Sequence, residues 1–415
     1  MKNKKLLWIY LLSGAVYFTQ GIEGLPGLSL FFYLKEKLHL NPSTIMYLGA
    51  ITSIAWLIKP IQGFLCDNYL TKKKWIIISL LGSLLLSIYL GMASFLPLLV
   101  LIALMTMGSF SATIRDVGVD GIMCIEGKEA NECGSIQSIQ WGAITFAGII
   151  TGLAGGWIAD HSTYKIGYLA LIPIYLIILA IVSKYKSNCT NLCNKCRFSQ
   201  DQYCLAKNVP NKMPCELFKK KENKLYQTIL SYKELFTNKP FLFACLFIFL
   251  YNFNPGFGTP LMFIERDVFK WSGTFMGILG AIGSVISIIG SILYFKFGKK
   301  VNIKKCIIVS VFIGASTTLC YLYFTPVSAI IYGMVFSFIG MFIFLNFMTF
   351  MAQSTIPGKE ATSFALLCSI NNLAGTASTL TGAWLYPLIG LKWLIIVASL
   401  TSFACLPLIK KLEIK

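Results

Sequence analysis

Residues 111–141 read SATIRDVGVDGIMCIEGKEANECGSIQSIQW, and the ionisable groups in this stretch decide how the rest of the chain has to be read. The run before it, Leu96 to Phe110, carries no charge. A helix entering a bilayer near Leu96 and rising about 1.5 Å per residue carries Arg115, Asp116 and Asp120 roughly three-quarters of the way across. Charges at that depth are costly, and they persist where they face a water-filled cavity or an opposite charge. Asp116 and Asp120 are spaced i, i+4 and share a helix face, whereas Arg115 is turned about 100° away and can meet a different helix. Two roles suit such a cluster: an ion-pair network that locks helices together, or direct handling of a substrate or a proton.

Composition supports the membrane reading. With 415 residues, 56% hydrophobic and 13% charged, and a mean hydropathy of +0.70, the chain is too apolar for a water-soluble globule and reads as an all-α polytopic membrane protein. The net charge of +19 raises nucleic acid as a partner. Lys and Arg, however, cluster in short segments between apolar runs, the positive-inside pattern of a protein whose partner is the lipid bilayer, and nucleic-acid binding is set aside. The apolar runs fall at 6–34, 43–66, 75–95, 96–123, 135–158, 166–183, 240–263, 272–295, 306–324, 327–352, 361–388 and 391–409, which predicts twelve spans. The apolar run that follows MKNKK is too long for a cleaved signal peptide and is read as a retained first span. The large majority of the 36 Lys and Arg then fall on one side, so both termini are expected in the cytoplasm, at the plasma membrane.

The chain divides into residues 1–183, a Lys- and Cys-rich connector at 184–239, and residues 240–415. Two six-helix halves joined by a long loop is the organisation of major facilitator transporters. Each half opens on a span interrupted near mid-depth: QGIEGLPG at 20–27 and NFNPGFGTP at 252–260. Paired interruptions in corresponding positions point to a binding site between the halves, because broken helices present backbone groups to a central cavity; kinking for close packing through small residues is the plainer account. After the second span comes GFLCDNYLTKKKW, residues 63–75. It resembles the Gly-x-x-x-Asp-x-x-x-x-basic-basic turn of the major facilitator superfamily, with Leu70 where that turn usually has Gly. Gly63 would allow close helix approach, Asp67 would meet a helix N-terminus or an Arg, and Lys72 and Lys73 would anchor to lipid headgroups.

Six stretches resemble the folate-biopterin transporters: YFTQGIEGL (17–25), FFYLKEKLHLNP (31–42), WLIKPIQGFLCD (56–67), DVGVDGIMCIEGKEA (116–130), GSIQSIQWG (134–142) and FLYNFNPGFGTPLMF (249–263). They cover most of the N-terminal half and the first span of the C-terminal half. The resemblance implies secondary transport of folate, biopterin or a related pteridine, with S-adenosylmethionine also within it; another small metabolite is the alternative cargo. A monomer with no cofactor is expected. The resemblance assigns Glu23 no role.

A pterin is a flat heterocycle suited to aromatic stacking and to Asn or Gln amides, and the glutamate tail of folate calls for Arg or Lys. Residues of those types at useful depth are Gln20, Lys59, Arg115, Asn252, Asn254, Asn346 and Asn371; an interhelical hydrogen bond would equally account for any one Asn. Lys59 lies about two turns inside the second span and is expected to touch substrate or to pair with Asp116 or Asp120. Coupling to a proton requires a carboxyl whose exposure alternates. Glu23 has no cation in its own helix and is expected to carry the proton, with Asp116 and Asp120 staying charged. His39 and His161 sit at span ends and receive no role.

In the connector, Cys189, Cys193, Cys196 and Cys204, with Cys215 beyond them, are irregularly spaced. Zinc ligation is one reading and free thiols in a linker the other. No Ser-His-Asp set, phosphate-cradling Gly loop or His-rich metal site occurs. An enzyme would have to rest on the polar cluster 115–132, and a sensor on the Cys-rich loop.

Overall fold

The computed structural model describes residues 2–123, 132–185, 199–200, 203–204, 233, 235–297, 302–356, 360–409 and 412. In chain order the helices are α1 (Lys2–Ile22), α2 (Gly27–Phe32) with a π-turn at Tyr33–Lys37, α3 (Pro42–Thr52), α4 (Ile54–Leu57), α5 (Lys59–Asn68), α6 (Lys72–Met92), α7 (Leu98–Ile122), α8 (Cys133–His161) and α9 (Tyr164–Lys184). A two-residue hairpin, β1 (Ser199–Gln200) with β2 (Tyr203–Cys204), follows. Then come α10 (Lys239–Asn252), α11 (Gly258–Asp267), α12 (Gly273–Phe297), α13 (Ile303–Cys320), α14 (Pro326–Gln353), α15 (Glu360–Thr401) and α16 (Leu406–Ile409).

Among the described residues eight helical stretches are long and apolar enough to cross a membrane. The last of them, Ser363–Ile409, is two spans folded at Gly390, whose φ of +72° suits a residue without a Cβ. Three further crossings are broken helices: α1 with α2, α3 to α5, and α10 with α11. Among the described residues this makes twelve spans, six before the hairpin and six after it.

The breaks follow from local chemistry. Pro26 has no N–H to give, and its ring clashes with the carbonyl four residues back, so α1 stops at that residue, Ile22. The turn is tied by short bonds such as Leu25 N to Ile22 O at 2.9 Å. In the C-terminal half the extended segment after Asn252 docks on α15. Gly256 N donates to Ser378 O at 2.9 Å and Asn254 N to Ser378 Oγ at 2.9 Å, so the exposed backbone is satisfied inside the bundle.

The second span, read from sequence as continuous over 43–66, is broken twice, at Ser53 and Ile58. Pro60 is the reason for the second break, since it cannot donate to Trp56 O. That carbonyl instead accepts from Asn372 Nδ2 of α15 at 3.3 Å, joining the two halves.

Each half has its own core. One gathers Leu12, Val16, Leu80, Val119, Ala147 and Leu171, all buried, and the other Phe247, Ile307, Phe350, Leu367 and Cys405. Large apolar side chains such as Leu85, Ile177, Ile292 and Leu388 point outward, as a lipid-facing surface requires. The halves meet most closely where α8 crosses α12: a Cβ on Gly277 would stand 2.1 Å from Gly152 O, so only glycine allows the backbones this near.

Candidate functional site

The charges of the fourth span lie in α7, in a cluster that draws residues from six other spans. Arg115, with 1% of its side chain exposed, donates from Nη2 to Glu23 Oε1 at 2.5 Å and from Nη1 to Ser83 Oγ at 3.1 Å. Glu23 sits in the turn that Pro26 forces, and Tyr175 Oη of α9 donates to the same oxygen at 2.7 Å. Lys59 opens α5 and reaches Asp116 Oδ2 at 2.6 Å, both side chains being largely buried at 15% and 5% exposure. Its ammonium also stands 4.5 Å from the centre of the Trp56 ring, a cation–π contact.

Asp120, one turn below Asp116, has a different set of partners. Tyr17 Oη donates to its Oδ1 at 2.7 Å and Gln140 Nε2 at 3.3 Å, and no cation lies within ion-pair distance among the described residues. Cys368 of α15 lies within electrostatic reach of Lys59, Asp116 and Asp120. The two helix breaks thus put one charge each, Glu23 and Lys59, against the two consecutive charges of α7. The arrangement is two separate ion pairs with an extra carboxyl held by neutral donors.

Arg115 meets a different helix, as the 100° between successive residues allows: it turns to the first span while Asp116 faces the second. Glu23, which has no cation in its own helix, has one from another, Arg115 of α7. Tyr17, Ser83, Gln140 and Tyr175 escaped sequence reading because a Tyr or Ser in an apolar helix looks like any core residue; only their spacing from the charges across space singles them out. The break at Lys59 was not read from sequence, although Pro60 is its cause.

The remaining candidates scatter. Asn252 Nδ2 bonds to Ile248 O of its own helix at 2.9 Å, and Asn254 Nδ2 to Ser402 Oγ at 3.3 Å, so both brace the C-terminal half. Asn346 is buried with no partner for Oδ1 among the described residues. Gln20 and Asn371 are half-buried, and it is the next residue, Asn372, that crosses to the N-terminal half.

In the turn after the second span a Cβ on Gly63 would stand 3.8 Å from Val117, an ordinary separation, so the close approach expected of this glycine is not made; the side chain of Asp67 lies outside what the structure describes. Lys72 and Lys73 are not the headgroup anchors expected. Lys72 is buried, its stem against Gly121, and Lys73 Nζ caps the end of α9 through Ser183 O at 2.8 Å and Tyr185 O at 2.5 Å, where a helix C-terminus attracts a cation.

Most of the connector, including Cys189, Cys193, Cys196 and Cys215, lies outside the described residues; Cys204 is in β2. Among the described residues no cluster of three His, Cys, Asp or Glu could hold a metal ion. Glu132, at the start of α8, is an acid outside the spans, and hydrogen bonds from Ser135 and Tyr10 hold its carboxyl below the usual range.

A second set of charges, missed from sequence because all of it lay in predicted loops, joins the halves on the face away from the termini. Arg266 at the end of α11 donates from Nε to Glu36 Oε1 at 2.7 Å, lies 4.0 Å from Asp160 Oδ1, and stacks 4.2 Å from the Phe32 ring. Lys35 pairs with Asp267. The Asp160 carboxylate accepts from Gly273 N and Thr274 N, both at 2.7 Å, at the N-terminus of α12. On that face the halves are latched by ions.

Twelve spans in two halves with paired helix breaks and buried charges define a major facilitator-type membrane transporter. The fold matches the crystal structure of a D-xylose–proton symporter at a TM-score of 0.71, with 12% identity and coverage of 100% of this chain and 98% of that one. The BT1 family profile matches residues 20–413, and the chain belongs to the BT1 family. A Synechocystis protein named folate-biopterin transporter is 25% identical over 96% of this chain and 81% of its own length. Folate transporter 1 of Plasmodium falciparum is 23% identical over 97% and 79%. The family is one of transporters, not enzymes.

Proposed function

We propose that the protein carries a pterin or folate across a membrane by alternating access, coupled to a proton. The observation that carries the reading is the pair of buried ion pairs set on the two breaks of the N-terminal half, in a chain whose relatives are named for folate and biopterin. A helix break that holds a charge changes that charge's exposure when the halves rock, which is what alternation needs. The groups around the fourth span also suggest where the proton rides. Glu23 is committed to Arg115 and Asp116 to Lys59. Asp120 faces Tyr17 from the first span, Gln140 from the fifth, Cys368 from the eleventh, and Lys59 only across Asp116. Protonating Asp120 leaves the Asp116, Lys59 and Asp120 set neutral; ionising it leaves a net negative charge in a low-dielectric interior. We therefore assign the coupled proton to Asp120 rather than Glu23, and Lys59 and Arg115 to the carboxylates of a folate tail when their partners release them.

The substrate reading is tested by thermal shift of the purified protein across pterins, folates and nucleoside-like metabolites including S-adenosylmethionine. A cargo stabilises by mass action, so a pterin or folate should raise the melting temperature in proportion to the logarithm of its concentration. Stabilisation by another class alone would replace the substrate.

We place both termini and residues 184–239 in the cytoplasm, by the distribution of Lys and Arg. In sealed cells Cys193 should be protected from an impermeant thiol reagent and a cysteine introduced at Ser162 should react. The reverse pattern would invert the topology.

On this topology the ionic latch closes the outer face. Arg266→Ala removes its contacts to Glu36, Asp160 and Phe32 together. The variant should shift toward an outward-open state, with a cysteine placed at Ser284 labelling at least several-fold faster from outside. An unchanged labelling rate would mean that the latch does not set the resting state.

A further inference from the structure

The C-terminal half contains a cavity of about 460 Å³ between α11, α12 and α14, bordered by Leu28 of α2. Its wall includes Met262, Glu265, Trp271, Met276, Ser284 and Ser337. Gly280 and Gly333, in the same wall, keep it wide, since a Cβ on either would meet no atom within 4 Å. The volume and the mixture of apolar and few polar groups suit a small flat ligand.

Glu265 is the only acid among the lining residues. It is half-buried, and its carboxylate has no hydrogen-bond or ion-pair partner among the described residues. Both nearby cations are already taken, Arg266 by Glu36 and Asp160, and Lys35 by Asp267. A carboxylate in an apolar wall is costly to hold without donors, so this one is complementary to a ligand that brings its own.

We propose that Glu265 accepts the paired N–H donors of the ligand's amidine-like edge, making this cavity the subsite for a 2-amino-4-oxopyrimidine ring. The inference rests on the pteridine reading above and deepens it. On that ring an N–H stands beside an exocyclic amine, two parallel donors that match the two carboxylate oxygens as a guanidinium does. Trp271 supplies a flat apolar surface in the same wall, and Ser284 and Ser337 supply hydroxyls for the heteroatoms further round the ring. The buried cations of the N-terminal half are left for the other end of the molecule, so the two halves would each hold one end of a folate.

The test compares two ligands that differ at one position: a 2-amino-4-oxopteridine, and the 2,4-dioxo analogue in which an oxygen acceptor replaces the amine donor and faces the carboxylate. Binding to the purified full-length protein is measured by calorimetry. The wild type should prefer the amino compound at least about tenfold, because the analogue leaves a buried acceptor unpaired. Glu265→Gln should bring the two within about threefold, with an unchanged melting temperature. Glu265→Asp, which keeps the charge, should retain the order of preference with weaker binding of both. Undiminished discrimination in a folded Glu265→Gln protein overturns this subsite while leaving the pteridine reading intact. Equal binding of the two compounds by the wild type overturns it as well. Failure of the wild type to bind any pteridine overturns the pteridine reading and this proposal with it.

Discussion

Arg115→Ala will destabilise the protein by about 3–5 kcal/mol, the range for removing one partner of a buried ion pair. The guanidinium is nearly inaccessible, with 1% of its side chain exposed, and the carboxylate it leaves behind, Glu23, is 20% exposed with one neutral donor, Tyr175. The expected loss is therefore mostly the penalty of a stranded carboxylate rather than the worth of the bond. That distinction is testable by a double-mutant cycle read from denaturant unfolding in mild detergent. Adding Glu23→Gln to Arg115→Ala should recover about 1–3 kcal/mol, because no charge is then left unpaired. Adding Asp116→Ala should recover nothing, since Asp116 belongs to Lys59. Recovery with Asp116 and not with Glu23 would show that the pairs are exchanged.

The other large effect concerns transport. In proteoliposomes with an acidic exterior, Asp120→Asn should abolish the response of folate or biopterin uptake to the pH gradient while exchange down a concentration gradient continues. The amide keeps the shape and can still accept from Tyr17 Oη, so what is lost is the proton and not the fold. Glu23→Gln should instead depress both modes, because it strands Arg115. Gradient-driven uptake that persists in Asp120→Asn and vanishes only in Glu23→Gln would return the proton to Glu23.

How much of this could be read from the chain varies with the physics involved. Span count and the break at Gly24–Pro26 are legible because hydropathy and proline act locally. The ionisable residues of the site are legible too, since the cost of burying Lys59, Arg115, Asp116 or Glu23 singles each out. Their pairing is not. Which of two adjacent residues faces the first span and which the second depends on the rotation of α7 against its neighbours, a property of packing spread over many apolar contacts. The neutral partners Tyr17, Tyr175 and Gln140 carry no burial cost that marks them. Lys72 and Lys73 were misread for a related reason: positive charges beside a span usually go to headgroups, and only the arrangement of α9 supplies Lys73 with carbonyls. The second break of the second span was missed although Pro60 announces it, because the hydropathy of 43–66 runs on without a dip.

In the alternating cycle proposed above, that break would have a consequence of its own. Because Pro60 can never donate, the carbonyl of Trp56 is a permanent vacancy in the ladder of its own helix, and no straightening of the span can fill it. In the present state Asn372 fills it from across the interface. Were the halves to part there, water would take the place of the amide, and the exchange of one partner for another is worth only about 1 kcal/mol. The contact is thus a reversible fastening whose strength is limited by solvent: enough to hold the second and eleventh spans in register when closed, and too weak to resist the binding energy of a cargo that opens them.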